Sequence, residues 1–304
     1  MACLLQKRCK EEEKMNTEFF DILCCPFCRG TLSLNGLEGF TPIDAGEITC
    51  TVCGKHFPVK DGIIRFIETD DMDEGEWRYE RFRRLFYSHI YDLSTRLMFL
   101  LGGGEKSARS ECLERLSIHR DSLVLETGIG TASNVPYLAE KTGEGNIFGI
   151  DISPSMLRLC VRKLKKLGHT SHIYQARAES LPFKDNSFDS VLHIGAINVF
   201  ENKKQAIDEM IRVARPNTKI IIADESDKTN RLWDKLLFTR LLGRQEEVIP
   251  PVDLVPENMV DIRLDSVWKG FGYCIEFSTP GRLKNEEKQI RSGERDRHRA
   301  IPAR

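Results

Sequence analysis

Two groups of residues in this 304-residue chain can do chemistry by type and spacing. The first is a pair of Cys-x-x-Cys knuckles, Cys25-Pro26-Phe27-Cys28 and Cys50-Thr51-Val52-Cys53, set about 20 residues apart. Four thiolates at that spacing close a tetrahedron around a soft cation, zinc in preference to magnesium or calcium, and leave no open position for catalysis. The second group lies between Ser122 and Asp151. Leu123-Val124-Leu125 is a short apolar run that ends on Glu126, and Gly128 and Gly130 then free the backbone for a turn that a side chain would obstruct. Asp151 follows about 20 residues on, where a nucleotide-binding unit puts a carboxylate on ribose hydroxyls. Ser133 stands where a dinucleotide loop would have its third glycine, and Glu126 would repel a pyrophosphate. A carboxylate there suits a ligand with a sulfonium and an ammonium, the charges of S-adenosylmethionine.

These groups need elements to hold them. The knuckles fall in a segment, residues 17–68, too short for a large core, so a bound zinc ion would supply folding energy. Cys25 fits the pairing with Cys28 better than Cys24 does, and His56 reads as a surface histidine. Thr69 to Glu76 is acidic, with no apolar face, and reads as a linker. Trp77 to Leu101 has helical spacing; its aromatic stripe suits a core, or a lid over a pocket. Ser110 to Ile118 reads as a second helix. After the first strand, helix Thr131 to Lys141 tolerates Pro136 only near its start. Ser153 as cap, Pro154 at the first helical position and Gly168 as the stop mark the next helix. His172–Ala176, Phe188–Ile194 and Lys219–Ala223 read as strands, with a helix over residues 203–214 and a turn at Arg215-Pro216-Asn217. Alternating strands and helices give a doubly wound parallel sheet. Residues 230–243 read as a helix, and Met259–Val267 and Gly272–Thr279 as antiparallel strands.

The runs Leu125-Glu126-Thr127-Gly128-Ile129-Gly130-Thr131, Gly149-Ile150-Asp151, Ala178-Glu179-Ser180-Leu181-Pro182-Phe183 and Phe188-Asp189-Ser190-Val191 resemble the successive motifs of class I S-adenosylmethionine-dependent methyltransferases of the type 11, UbiE-like kind. The resemblance covers residues 123–226. It implies a seven-stranded Rossmann-like sheet with an antiparallel C-terminal hairpin over residues 77–280. It also implies that Glu126, Thr127, Gly128 and Gly130 line the methionine end of the cofactor, that Asp151 takes the ribose hydroxyls, and that Ile152, Ala178 and Glu179 flank the adenine. Arg177 occupies a position often acidic in that family, and Asn217-Thr218 replaces its usual glycine pair. The stretch Cys53 to Ile64 resembles the end of small zinc ribbons that precede some methyltransferase domains or act as their free partner proteins.

His193 ends the fourth strand, where open α/β sheets present ligands; it offers a cofactor contact or a base, beside the plainer reading of a packed histidine. Asn198, Glu201, Asp224 and Glu225 lie at the same edge. The hydrophobic fraction is 40% and the charged fraction 30%, as in globular domains, and no apolar run approaches the ~18 residues of a membrane span. A net charge of −1 argues against a surface devoted to nucleic acid. The mixed charges of Met1 to Lys14 match neither a signal nor a transit peptide, which points to the cytoplasm, and ten cysteines there suggest metal or free thiols. Residues 281–304 are too polar to fold alone and read as a disordered tail. The expectation is a methyltransferase acting on a small, quinone-like or lipid-like acceptor. Its rivals are a ribosomal RNA guanine methyltransferase whose ribbon reads RNA, and a non-enzymatic scaffold whose ribbon binds a protein partner.

Overall fold

The structure, a computed structural model, describes residues 17–34, 45–67, 99–100, 103–229, 231 and 247–281. The N-terminal 16 residues, the linker at 69–76, nearly all of the helix expected at 77–101, that at 230–243, and the tail from 282 lie outside the described residues.

Four short strands build the ribbon: β1 (Leu32–Ser33), β2 (Ala45–Cys50), β3 (His56–Lys60) and β4 (Ile63–Arg65), each antiparallel to the next. The second part runs α1 (Glu105–Leu113), β5 (Val124–Thr127), α2 (Val135–Thr142), β6 (Ile147–Asp151), α3 (Pro154–Leu167), β7 (His172–Gln175), β8 (Phe188–Ile194), α4 (Lys203–Val213), β9 (Ala214–Glu225), β10 (Val260–Val267) and β11 (Gly272–Ser278). Seven strands lie in the order β7-β6-β5-β8-β9-β11-β10. The first five are mutually parallel, and β11 and β10 close the edge antiparallel. This is the doubly wound sheet expected from the motifs. Strand order reverses between β5 and β8, which opens the crevice for a ligand above β5.

The ribbon continues this sheet. Ile64 and Arg65 of β4 pair in parallel with Tyr174 and Gln175 of β7. The segment before the first knuckle grips the same edge: Leu23 bridges Phe183, Cys24 N–H donates to the Pro182 carbonyl, and Lys184 N–H donates to that of Ile22. A run of aromatic rings, Phe57, Phe66, Tyr174, Phe183 and Phe188, carries one core from ribbon to sheet at centroid spacings of 4.9–6.2 Å. Helix α4 covers that face with Ala206, Ile207 and Met210, while α1, α2 and α3 bury Cys112, Leu138 and Cys160 on the other.

Local chemistry sets most boundaries. Ser153 accepts a hydrogen bond from Met156 N–H, Pro154 begins α3, and Gly168 in the left-handed region (φ 74°) ends it, as its sequence requires. Three boundaries differ from expectation. Helix α2 starts at Val135, not Thr131, because Pro136 fits only the first turn and residues 131–134 are drawn into the glycine loop. Helix α1 starts at Glu105 and ends at Leu113, where 110–118 was expected; its buried stripe includes Ala108 and Arg109, neither of which registers in an apolar pattern. Residues 215–217 form no separate turn. They are absorbed into β9 as a register shift, with Asn217 at φ 62°, where asparagine is tolerated.

Candidate functional site

The glycine loop joins β5 to α2 across the top of β6. Gly128 and Gly130 have φ of 72° and 56°, a region side chains resist, and a Cβ on Gly128 would lie 3.1 Å from His193 Cε1. Asp151, the last residue of β6, organises the loop. One carboxylate oxygen accepts from Gly130 N–H at 3.0 Å and the other from Ser153 N–H at 2.9 Å. Each oxygen keeps a lone pair for a further donor.

Ile129, between the two glycines, rests on Gly149 of β6: a Cβ there would stand 2.2 Å from Ile129 Cδ1. Gly149→Ala is therefore expected to push the loop off the sheet and lower stability by about 1–3 kcal/mol, the usual cost of overpacking. Thermal unfolding with and without S-adenosylhomocysteine checks this, with both stability and ligand response reduced.

Glu126 ends the apolar run of β5 and is 1% exposed. Its Oε1 accepts from Asn134 Nδ2 at 2.6 Å, while Oε2 is buried with no partner among the described residues. Burial pushes the carboxyl up to about 7. A carboxylate with one vacant oxygen beside a glycine loop fits a cationic group, so the residues present suit the ammonium of S-adenosylmethionine. Ile152 is half-buried beside Asp151, Ala178 is buried, and Glu179 gives its carbonyl to Gln205 Nε2.

Two of the expected site residues contact each other. The Thr127 hydroxyl lies 3.1 Å from His193 Nδ1 and 3.4 Å from the Leu192 carbonyl, so Thr127 offers a ligand only its backbone. His193 is fully buried against Phe200 and donates Nδ1–H to the Thr127 carbonyl at 2.8 Å. Burial pushes this imidazole down to about 4, so it is neutral at physiological pH and a weak base. Its geometry is that of a packed support for Gly128. At the same edge, Asp224 accepts from Asn198 N–H and Glu225 N–H, and Tyr273 donates to Asn198 Oδ1 at 2.7 Å. Burial, reinforced by Asp224, pushes the half-buried Glu225 carboxyl up to about 7.

Arg109 and Asn134 belong to this site and are not evident in the sequence. Arg109 donates to Asn134 Oδ1 at 2.6 Å and is only 6% exposed. Its one sequence cue, Glu105 four residues earlier, reads as an ordinary surface pair.

In the ribbon, the sulfur atoms of Cys25, Cys28, Cys50 and Cys53 all lie within 4.8 Å of one another. Cys25 and Cys50 are buried, Cys28 and Cys53 exposed. Without a cation, burial pushes the Cys25 thiol up to about 12, and a metal would offset that cost. Four convergent sulfurs fit a closed zinc shell. Cys24 lies outside the set, and His56 turns its Nδ1 to Glu47 at 2.9 Å.

A loop of this kind at the switch point of a seven-stranded sheet defines a class I S-adenosylmethionine-dependent methyltransferase fold, here fused to a zinc ribbon. Comparison with known proteins agrees. The family described as "Methyltransferase domain" matches residues 125–222, and that described as "Trm112p-like protein" matches residues 16–62. A ubiquinone/menaquinone biosynthesis C-methyltransferase UbiE of Pseudomonas savastanoi is 30% identical over 176 residues, 54% of this chain and 68% of that one. A demethylmenaquinone methyltransferase of Anoxybacillus flavithermus is 34% identical over 125 residues, 40% of this chain; here the chain spans about half of its relative, 52%. Haemonchus contortus phosphoethanolamine N-methyltransferase 2, solved with S-adenosyl-L-methionine, shares the fold at a TM-score of 0.51 and 12% identity, over 66% of this chain and 60% of that one. The chain belongs to the class I S-adenosylmethionine-dependent methyltransferase family, with UbiE-like homologues.

Proposed function

We propose that this protein transfers the methyl group of S-adenosylmethionine to a small, quinone-like or lipid-like acceptor, with zinc held as a structural ion by Cys25, Cys28, Cys50 and Cys53. The observation that carries the reading is the vacant Glu126 oxygen beside the Gly128–Gly130 loop, an acceptor placed for a cationic ligand. The cofactor supplies a methyl group on a sulfonium, whose positive charge is neutralised on transfer. The chain's own residues bind and orient. Glu126 holds the ammonium end, Asp151 accepts from the ribose hydroxyls, and Ile152 and Ala178 enclose the adenine. Alignment of donor and acceptor in a dry pocket contributes up to roughly 7–11 kcal/mol in favourable systems. Where the acceptor must lose a proton, Glu225 is the group at this edge with a suitable proton affinity, and His193 is not.

Support for a small acceptor comes from the quinone-pathway names of the relatives and from the ribbon surface, which mixes exposed Lys55 and Lys60 with exposed Glu47 and Asp61. One feature favours a second, macromolecular contact. Phe27 and Val52, at the tips of the two knuckles, are 56% and 70% exposed, and Lys55 lies over the Phe27 ring. The test is transfer of labelled methyl from S-adenosylmethionine into a cell extract, then separated into organic-soluble, RNA and protein fractions. Label is expected in the organic or small-metabolite fraction and absent with Asp151→Ala. Label in RNA would make the knuckle tips a nucleic-acid reader and overturn the small-acceptor reading. No label despite cofactor binding would overturn catalysis by this chain alone.

A further inference from the structure

We infer that Arg109 and Asn134 form a positioning relay that aims Glu126 at the ammonium end of the cofactor. The inference rests on the reading of Glu126 proposed above and adds two residues that touch no reacting atom. Arg109, on α1, donates Nε and Nη2 to Glu105 Oε1 at 3.1 and 3.0 Å and Nη1 to Asn134 Oδ1 at 2.6 Å, with its guanidinium 5.3 Å from the centre of the Phe99 ring. Asn134 then passes its amide nitrogen to Glu126 Oε1 at 2.6 Å. Asn134 stands at the N-cap of α2, where asparagine ordinarily accepts a hydrogen bond from its own helix. Here its side chain caps nothing. Its oxygen is spent on the guanidinium and its nitrogen on the carboxylate, and the reverse orientation would set donor against donor and acceptor against acceptor.

The arrangement leaves Oε2 as the one Glu126 oxygen without a partner among the described residues, so the relay fixes which oxygen meets the ligand. It also sets the charge there. Burial favours the protonated carboxyl, the Asn134 hydrogen bond and the Arg109 charge oppose it, and Asp151 on β6 reinforces it. Cys160 on α3 also lies within the field of the Glu126 charge, and Leu192 of β8 pairs with Glu126 in register. An ammonium at Oε2 selects the carboxylate, so a proton leaves when the ligand binds. Affinity therefore rises with pH up to the Glu126 midpoint near 7 and is flat above it. Without the guanidinium that midpoint moves up. At neutral pH binding weakens, and alkali restores it.

The test is calorimetric titration of the full-length protein with S-adenosylhomocysteine, which keeps the ammonium and is not consumed, over about pH 5.5 to 8.5. Wild type, Arg109→Gln, Arg109→Lys, Asn134→Asp and Glu126→Gln are compared. Arg109→Gln is expected to bind about fivefold more weakly at pH 7, corresponding to a midpoint shift of about one unit from 7 to 8, and to approach wild-type affinity at the alkaline end. Arg109→Lys should keep most of the wild-type profile. If Arg109→Gln does not fold, the isosteric Asn134→Asp, which sets a carboxyl against Glu126, should move the midpoint in the same direction. A pH-independent loss in these variants would mean a merely structural role and overturn the relay. An unchanged pH profile in Glu126→Gln would instead overturn the reading of Glu126 itself, and the relay with it.

Discussion

Asp151→Ala is expected to weaken binding of S-adenosylhomocysteine at least about 100-fold while the protein stays folded. The side chain has two duties. It accepts from the backbone N–H groups of Gly130 and Ser153, which ties the glycine loop and the start of α3 to the end of β6, and its remaining lone pairs face the place proposed for the ribose hydroxyls. Hydrogen bonds to a charged acceptor are worth about 1.5–3 kcal/mol each, and a 100-fold loss corresponds to about 2.7 kcal/mol. Two such bonds to the ribose hydroxyls therefore cover the effect, while the loss of the loop bonds, made with or without ligand, is expected to lower stability. The core does not depend on Asp151, since Ile147, Phe148 and Ile150 remain buried in β6. Asp151→Asn, which keeps the shape but not the charge, should fall between. Calorimetric binding and thermal unfolding check both halves: an affinity within threefold of wild type would remove Asp151 from the site, and collapse of the fold would make its role structural.

The readable part of this molecule is the part governed by short-range rules. Ser153, Pro154 and Gly168 fix α3 through capping and backbone freedom, and apolar runs such as Ile220–Ala223 can be little other than interior strand. The loop of Gly128 and Gly130 and the carboxylate of Asp151 were legible because their roles demand particular residue types at a fixed separation. Two things were not. Arg109 and Asn134 look like a surface charge and a helix cap, and only the packing of α1 against α2 brings them to Glu126 across 17 and 8 residues of chain. The junction of ribbon and sheet was hidden for the same reason, since two pairs between β4 and β7 leave no periodic signal at either strand. His193 shows the converse. Its position at the end of β8 offered chemistry beside plain packing, and its burial and its hydrogen bond to the Thr127 carbonyl favour the packing.

Cys28→Ser is expected to release zinc to below about a tenth of an ion per chain and to loosen the ribbon, because a structural zinc site contributes on the order of 10–16 kcal/mol of apparent binding energy that a three-thiolate shell does not retain. The ribbon's share of the common core, Leu32, Ile48, Phe57 and Val59, is too small to replace it. The effect should travel. Next to Cys28, Arg29 reaches α4 and donates to Glu209 at 2.6 Å and to the Leu181 carbonyl at 3.1 Å, while Glu209 accepts from Leu181 N–H at 2.8 Å. Leu181 follows Ala178 and Glu179 in the same loop, so the knuckle clamps the segment proposed to flank the adenine. Loss of zinc should then cost about 3- to 10-fold in cofactor affinity, a fraction of one charge-assisted hydrogen bond because the contact reaches the cofactor indirectly, together with a lower unfolding temperature. Arg29→Ala separates the two effects: it should keep its zinc and still lose affinity. Metal analysis with calorimetric binding on both variants decides the matter. Full zinc occupancy in Cys28→Ser would overturn the ligand set, and wild-type affinity in Arg29→Ala would confine the ribbon's influence to β4 and β7.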